Sequence, residues 1–150
     1  MATDDLAPAA LKKLPSWLLT QSAAHAHRII SEAFAAGEAR GYHYRLLATL
    51  AEFGPQSQAS LGRRTGIDRS DVVAAINELS AANYVERSPD PTDGRRNIIT
   101  LTPTGQAQLN RLEALVQQAQ NTLFASLSPS ERGELTRLLT KVLDHHAAGS

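Results

Sequence analysis

The chain has 150 residues, fifteen Lys and Arg against fifteen Asp and Glu, and no cysteine. That length sets one compact domain as the expectation. The missing thiols exclude disulfides, thiolate metal sites and a cysteine-based oxidant sensor.

No stretch approaches the roughly 18 consecutive apolar residues of a membrane span, and the first residues lack a secretory signal pattern. A cytoplasmic protein with no membrane partner is expected. Residues 1–10 are small, acidic and rich in Ala and Pro, which predicts a flexible N-terminal arm. Pro15-Ser16 opens a long helix whose apolar side carries Trp17, Leu18, His25, Ile29, Ile30 and Phe34, and Gly37 to Gly41 closes it. Tyr42 to Phe53 reads as a second helix, with Leu46, Leu47 and Leu50 inward and Gly54-Pro55 as its stop.

From Ala59 to Leu79 the pattern splits into two short helices around Thr65-Gly66-Ile67. Gly66 ends the first in the left-handed conformation that glycine tolerates best, and Asp68 or Ser70 can cap the second. Leu61, Ile67, Val72, Ile76 and Leu79 share one side at helical spacing and predict a small core. The outward side of the second helix then carries Arg69, Ser70, Val73, Ala74 and Asn77. This is helix-turn-helix patterning, in which the second helix enters the major groove of DNA.

A strand is expected at Tyr84 to Arg87, followed by a polar loop with Asp93-Gly94 at its turn, where the glycine would take a positive φ. Arg95 and Arg96 stand at or beside that tip. The β-branched run Asn97 to Leu101 makes the return strand, and Thr102-Pro103 caps and opens a long helix running to Leu127. Its stripe is Leu109, Leu112, Val116, Ala119 and Leu123. Ser128-Pro129-Ser130-Glu131 is a capping box opening a last helix with Leu135, Leu138, Leu139, Val142 and Leu143 on one side. The fold expected is mainly α with a small β-wing, a winged helix-turn-helix between long terminal helices.

The Asp-x-Arg wing (Asp93, Arg95), the Leu-Thr-x-x-Gly run (Leu101, Thr102, Gly105) and Leu79 through Val85 leading into the first wing strand resemble the MarR family of transcriptional regulators. The resemblance extends over roughly Leu14 to His146. It implies dimerisation through the terminal helices, a wing arginine (Arg95) inserted in the minor groove with Asp93 as its partner, and small aromatic acids or phenols as ligands. The division that follows is a flexible arm over 1–10, a helical dimerisation region over 11–41 and 104–147, and a DNA-binding winged helix-turn-helix over 42–103.

Residues 59–96 hold six Arg and six acids, so phosphate attraction must come from placement and not from bulk charge. The candidate DNA contacts are Arg63, Arg64, Arg69, Ser70, Val73, Ala74, Asn77, Arg87, Asp93, Arg95 and Arg96. Arg69 and Ser70 sit at a helix N-terminus that favours phosphate. Asn77 suits adenine, Val73 or Ala74 a thymine methyl, and Arg87 and Arg96 phosphates. Ala74 and Glu78 fall where the family is often basic.

Trp17, His25, Tyr42, Tyr44 and Arg45 are the candidate ligand residues, with Arg45 as carboxylate anchor. His25 and His27, two apart on a helix, point to different sides and do not make a metal site. No catalytic motif is present, and no metal or cofactor is expected. The reading is a homodimeric repressor of double-stranded DNA, released by a small aromatic ligand. The alternative is a winged-helix module that binds protein and not DNA, which the local charge neutrality and Glu78 favour.

Overall fold

A computed structural model describes residues 6–149. Its elements are α1 (Ala9–Lys12), α2 (Pro15–Ala36), α3 (Gly41–Phe53), β1 (Gln56–Ser57), α4 (Gln58–Thr65), α5 (Arg69–Ala81), β2 (Val85–Pro89), β3 (Asn97–Leu101), α6 (Pro103–Leu123) and α7 (Pro129–Ala148). Of the arm expected over 1–10, residues 1–5 lie outside the described residues, and Ala9 and Ala10 belong to α1 and not to an arm. Among the described residues no helix is long and apolar enough to cross a membrane.

The three strands form an antiparallel sheet in the order β1-β3-β2. Strand β3 is central because its β-branched Ile98-Ile99-Thr100 run suits a pleated, half-buried surface. Ile99 is fully buried and lies opposite Gln56 of β1 and Arg87 of β2. Strand β1, two residues long, is an unforeseen element. Its second residue, Ser57, also caps α4 by accepting from the Ser60 amide at 3.1 Å, so that helix starts earlier than the hydrophobic pattern suggests.

The core gathers Leu46, Leu47 and Leu50 of α3, Leu61 of α4, Val72, Ala75, Ile76 and Leu79 of α5, Val85 and Ile99 of the sheet, and Leu109 and Leu112 of α6. Phe34 of α2 joins it, and Ile67 closes it beneath the turn between α4 and α5. The five apolar residues expected inside the helix-turn-helix are all buried.

Gly66 takes the left-handed conformation at the end of α4, φ 70°, as the turn requires. Gly94 does not: the positive-φ glycines among the described residues are Gly54 and Gly66. The wing therefore does not close in a tight primed turn at Asp93-Gly94. It bends through a longer loop, 90–96, braced by side chains.

Thr102 caps α6, accepting from the Gly105 amide at 2.9 Å while its hydroxyl donates to the Asn83 carbonyl at 2.6 Å. A Cβ on Gly105 would come within 2.0 Å of the Tyr84 carbonyl oxygen. The Leu-Thr-x-x-Gly run thus joins the start of α6 to the entry of the wing. Helix α6 ends at Leu123, four residues before the expected Leu127, in a turn closed by the Leu127 amide on Phe124. At α7 the capping box is present in both directions, between Ser128 and Glu131. No residue of α7 is buried.

Candidate nucleic-acid interface

Helix α5 turns its buried side, Val72, Ala75, Ile76 and Leu79, to the core, and its 3.6-residue period then sends Arg69, Ser70, Val73, Ala74 and Asn77 outward, all exposed. Beside it, Arg63 of α4 and Arg69 of α5 flank an open groove of about 520 Å³ floored by Gly62, Ile67 and Val72. Arg64, one residue further, turns aside: its guanidinium carbon stands 4.0 Å from the centroid of the Phe53 ring.

Asp68 occupies the cap position of α5 but makes no side-chain cap. Its carboxylate accepts instead from the Ser70 hydroxyl at 2.6 Å, and that bond holds the Asp68 carboxyl below the usual range. Both residues offered as caps are thereby bound to each other, and the Ser70 hydroxyl is engaged. Asn77 is engaged too. Its Oδ1 accepts from Nη2 of Arg87 on β2, which links the reading helix to the first wing strand.

The wing loop is built on two aspartates. Thr92 donates to Asp90 Oδ1 with its amide at 2.9 Å and its hydroxyl at 2.8 Å, and these bonds keep the Asp90 carboxyl below its ordinary value. Asp93 Oδ1 accepts from the Arg95 amide at 3.1 Å and from Arg95 Nε at 3.2 Å, and Asp93 Oδ2 lies 3.8 Å from Arg96 Nε. Main-chain bonds from Asp90 to the Arg96 carbonyl and from Arg96 to the Asp93 carbonyl close the loop. The Arg95 side chain is nevertheless 92% exposed. Asp93 orients this arginine without withdrawing it.

Glu78, the acid on the reading helix, does not project as a bare charge. Its Oε1 accepts from Arg40 Nη2, and its Oε2 lies 3.0 Å from Nε2 of buried His43. The other ring nitrogen of His43, Nδ1, accepts from the Arg40 amide at 3.2 Å, closing the first turn of α3. Accepting at Nδ1 fixes the tautomer with the proton on Nε2, so that nitrogen donates to Glu78. Burial is the main cause that lowers the His43 pKa from 6.5, against the raising influence of Glu78, and the ring is neutral at neutral pH. A cavity of about 160 Å³ adjoins the ring, lined also by Glu38, Leu79, Tyr84 and Gln108. Gln108 is buried and donates to the Gly37 carbonyl at 2.9 Å. None of Arg40, His43, Asp90 or Gln108 stood out in the sequence. The usable signal was faint: a histidine three residues into α3, the position from which a side chain can reach back to cap.

The five candidate ligand residues come from two helices, Trp17 and His25 from α2 and the other three from α3. Tyr42, Tyr44 and Arg45 sit at the start of α3, where Arg45 stands 5.5 Å from the Tyr42 ring centroid and the Tyr44 ring lies 5.4 Å from that of Phe34. Trp17 lies on α2 about 25 Å from Phe34 at the helical rise of 1.5 Å per residue, and His25 about 13 Å from it. Arg45 Nη1 also points to the Thr65 carbonyl, 3.5 Å away at the end of α4. Along α2 the helical rise thus separates Trp17 from the Phe34 end of the helix.

The sequence profile of the MarR family matches residues 39–96. The HTH-type transcriptional repressor NicR of Pseudomonas putida is 35% identical over 98 residues, a segment covering 65% of this chain and 62% of NicR. The chain thus spans less than two thirds of that relative. A probable transcriptional regulator from Pseudomonas aeruginosa superposes with a TM-score of 0.72 at 30% identity, over 88% of this chain and 98% of the other. BpsR of Bordetella bronchiseptica, whose DNA binding is regulated by 6-hydroxynicotinic acid, superposes with a TM-score of 0.76 at 26% identity, over 92% of this chain and 99% of BpsR.

Proposed function

The chain belongs to the MarR family, and on that footing we propose that it is a DNA-binding transcriptional regulator, a repressor that grips a pseudo-palindromic operator as a homodimer. Two reading helices enter successive major grooves about one helical turn apart, and two wings reach the flanking minor grooves. Repression follows from occupying the promoter. Residues 42–103 do the DNA work, and 11–41 with 104–147 hold the two copies together.

The wing carries this reading. Its tip holds an arginine that is almost fully exposed, yet anchored through main chain and side chain to Asp93. An anchored guanidinium loses less rotamer freedom on entering a groove than a free one. Narrow minor grooves attract such a charge. Arg63, Arg69, Arg87 and Arg96 contribute phosphate contacts around it, with Arg64 displaced toward Phe53.

The rival reading, a module for protein partners, drew on the neutrality of the head and on Glu78. That acid is turned back into Arg40 and His43, so it does not oppose phosphate as an isolated charge would. Steep loss of affinity with salt is the mark of DNA binding.

The exposed apolar residues of α2 and α7 support the dimer, and the relative BpsR supports a ligand. That ligand is a small aromatic acid or phenol. On this reading Trp17, His25, Tyr42, Tyr44 and Arg45 line a cleft between the dimerising helices and the reading head, with Arg45 as carboxylate anchor.

Arg95→Ala tests the reading. Against a duplex enriched by the parent chain from a random pool, the variant should lose about 1–3 kcal/mol of binding while its thermal unfolding is unchanged. Asp93→Ala should lose less, because the arginine remains but its orientation does not. Parent-like binding by Arg95→Ala removes the wing from the interface, and failure of the parent to enrich any duplex removes DNA reading altogether.

A further inference from the structure

Thirty-five residues apart in the chain, His43 and Glu78 meet where the first turn of α3 touches the second half of α5. We propose that His43 is a positioning residue for DNA recognition: its neutral ring clasps the Arg40 amide at the start of α3 to Glu78 of the reading helix, and a second proton on the ring opens the clasp on its Arg40 side, so that ring and Glu78 shift together and the helix pose loosens. The inference rests on the DNA-reading function proposed above and deepens it.

The chemistry turns on the two ring nitrogens. Neutral His43 satisfies both neighbours at once, accepting from the Arg40 amide and donating to Glu78. A second proton has one place to go, Nδ1, which already faces the Arg40 N–H. Adding it sets two donors against each other and leaves the Arg40 amide without its acceptor. The new charge also lies at the N-terminus of α3, where the helix dipole is positive.

The charged and titratable groups around the ring are Glu38 and Arg40 ahead of α3, Glu78 on α5 and Tyr84 before β2. Helix α6 presents uncharged Gln108. Arg40 and burial oppose the cation while Glu78 favours it, and the balance is a lowered pKa. The ring is therefore neutral and the clasp closed at neutral pH. Protonation sets in at a lower pH than for an ordinary histidine and is half complete at that lowered value. The adjoining cavity leaves the ring a route to solvent protons.

Glu78 is two-handed in this arrangement. Arg40 takes one carboxylate oxygen and His43 the other. A carboxylate held from two directions resists rotation of α5 about its axis, and that rotation would swing Asn77, one residue earlier, out of register with a base edge. The role is one of position: His43 is buried and touches no DNA.

His43→Gln is the informative variant. A glutamine at the same place can accept from the Arg40 amide and donate to Glu78, but it cannot titrate. With a duplex enriched by the parent at pH 7.5, affinity is measured at pH 7.5 and 5.5 for parent and variant. The other four histidines are present in both and cancel in the ratio. The parent should lose more affinity than His43→Gln across that interval, with the gap widening as the pH falls toward the lowered His43 value. Glu78→Gln, which removes the charge favouring protonation, should shift the parent's acid response to lower pH and decides the matter if His43→Gln fails to fold. Equal pH responses in parent and His43→Gln overturn the proposal.

A second readout does not involve DNA. In the free chain, backbone amide resonances of α5 should titrate together with the His43 ring. If they do and no duplex is enriched, the clasp stands and the DNA-reading function falls. If they do not, the clasp falls whatever the duplex experiment gives.

Discussion

Asn77 stands on the outward side of α5, but a bidentate grip on adenine needs both its carbonyl and its amino group, and the carbonyl oxygen already accepts from Arg87. A guanidinium has no acceptor, so this bond keeps the amide oxygen toward Arg87 and leaves the NH2 as the group freer to meet a base edge on the proposed reading. An NH2 donor meets the acceptors N7, O6 or O4 of a base edge and not the exocyclic amine. Asn77→Ala should therefore cost about 1–3 kcal/mol at one base position and relax preference there. Arg69→Ala, at the start of the same helix, should weaken all duplexes alike and lower the salt slope by about one. Binding to a panel of single-position operator variants at two salt concentrations separates the two. Equal, sequence-independent losses in both would put Asn77 on the backbone. Legibility at this scale follows sequence distance. Asp93 and Arg95 are two apart and their pairing could be read from the chain, whereas Asn77 with Arg87 and His43 with Glu78 meet only because helices and sheet fold together.

At the scale of elements, the joint between wing and body rests on the absence of one side chain. Gly105 lies in the first turn of α6 with the Tyr84 carbonyl where its Cβ would be, at 2.0 Å. The obstacle is backbone, held in turn by the Thr102 amide on the same carbonyl at 3.1 Å, so it cannot swing away as a side-chain tip would. Gly105→Ala should destabilise the fold by roughly 3 kcal/mol, at the upper end of overpacking costs, read as a shift in the midpoint of urea unfolding. An unchanged midpoint would mean that the wing strand can slide on α6. The run Leu101-Thr102-x-x-Gly105 was visible in the chain as a cap and a helix start, but the need for glycine is a tertiary contact. Helices were legible through their periodicity and caps, from Gly66 at the helix turn to the Ser128 box. The misplaced details share a cause: β1 is too short to have a period, α6 stops where no glycine or proline marks its end, and the wing loop closes on aspartate side chains instead of on a positive φ at Gly94.

For the whole molecule the unresolved demand is α7. Its capping box and its apolar stripe were plain in the sequence, yet not one of its residues is buried. Leu138, Leu139, Val142 and Leu143 remain 45%, 39%, 51% and 69% exposed, and Leu14, Leu18 and Leu19 near the start of α2 are 47%, 42% and 49% exposed. A chain that caps a helix of 20 residues with both halves of a capping box and then leaves its apolar side in water calls for a covering surface. Burying the exposed half of the four α7 side chains would contribute about 3–6 kcal/mol per protomer. The stripe is continuous, and a second copy offers the same stripe in return, as an isologous interface requires. Truncation before Ser128 should accordingly give a folded winged helix that sediments as a monomer, because the core of α3, α4, α5 and the sheet contains nothing from α7. Its duplex affinity should fall far more than one wing mutation explains, since two half-sites bound by one dimer become two independent, weaker events. A truncated chain that remains dimeric would place the interface on α2 or α6 alone. A truncated monomer that binds the enriched duplex as tightly as the parent would show that one reading head suffices, and the paired-groove geometry would be wrong.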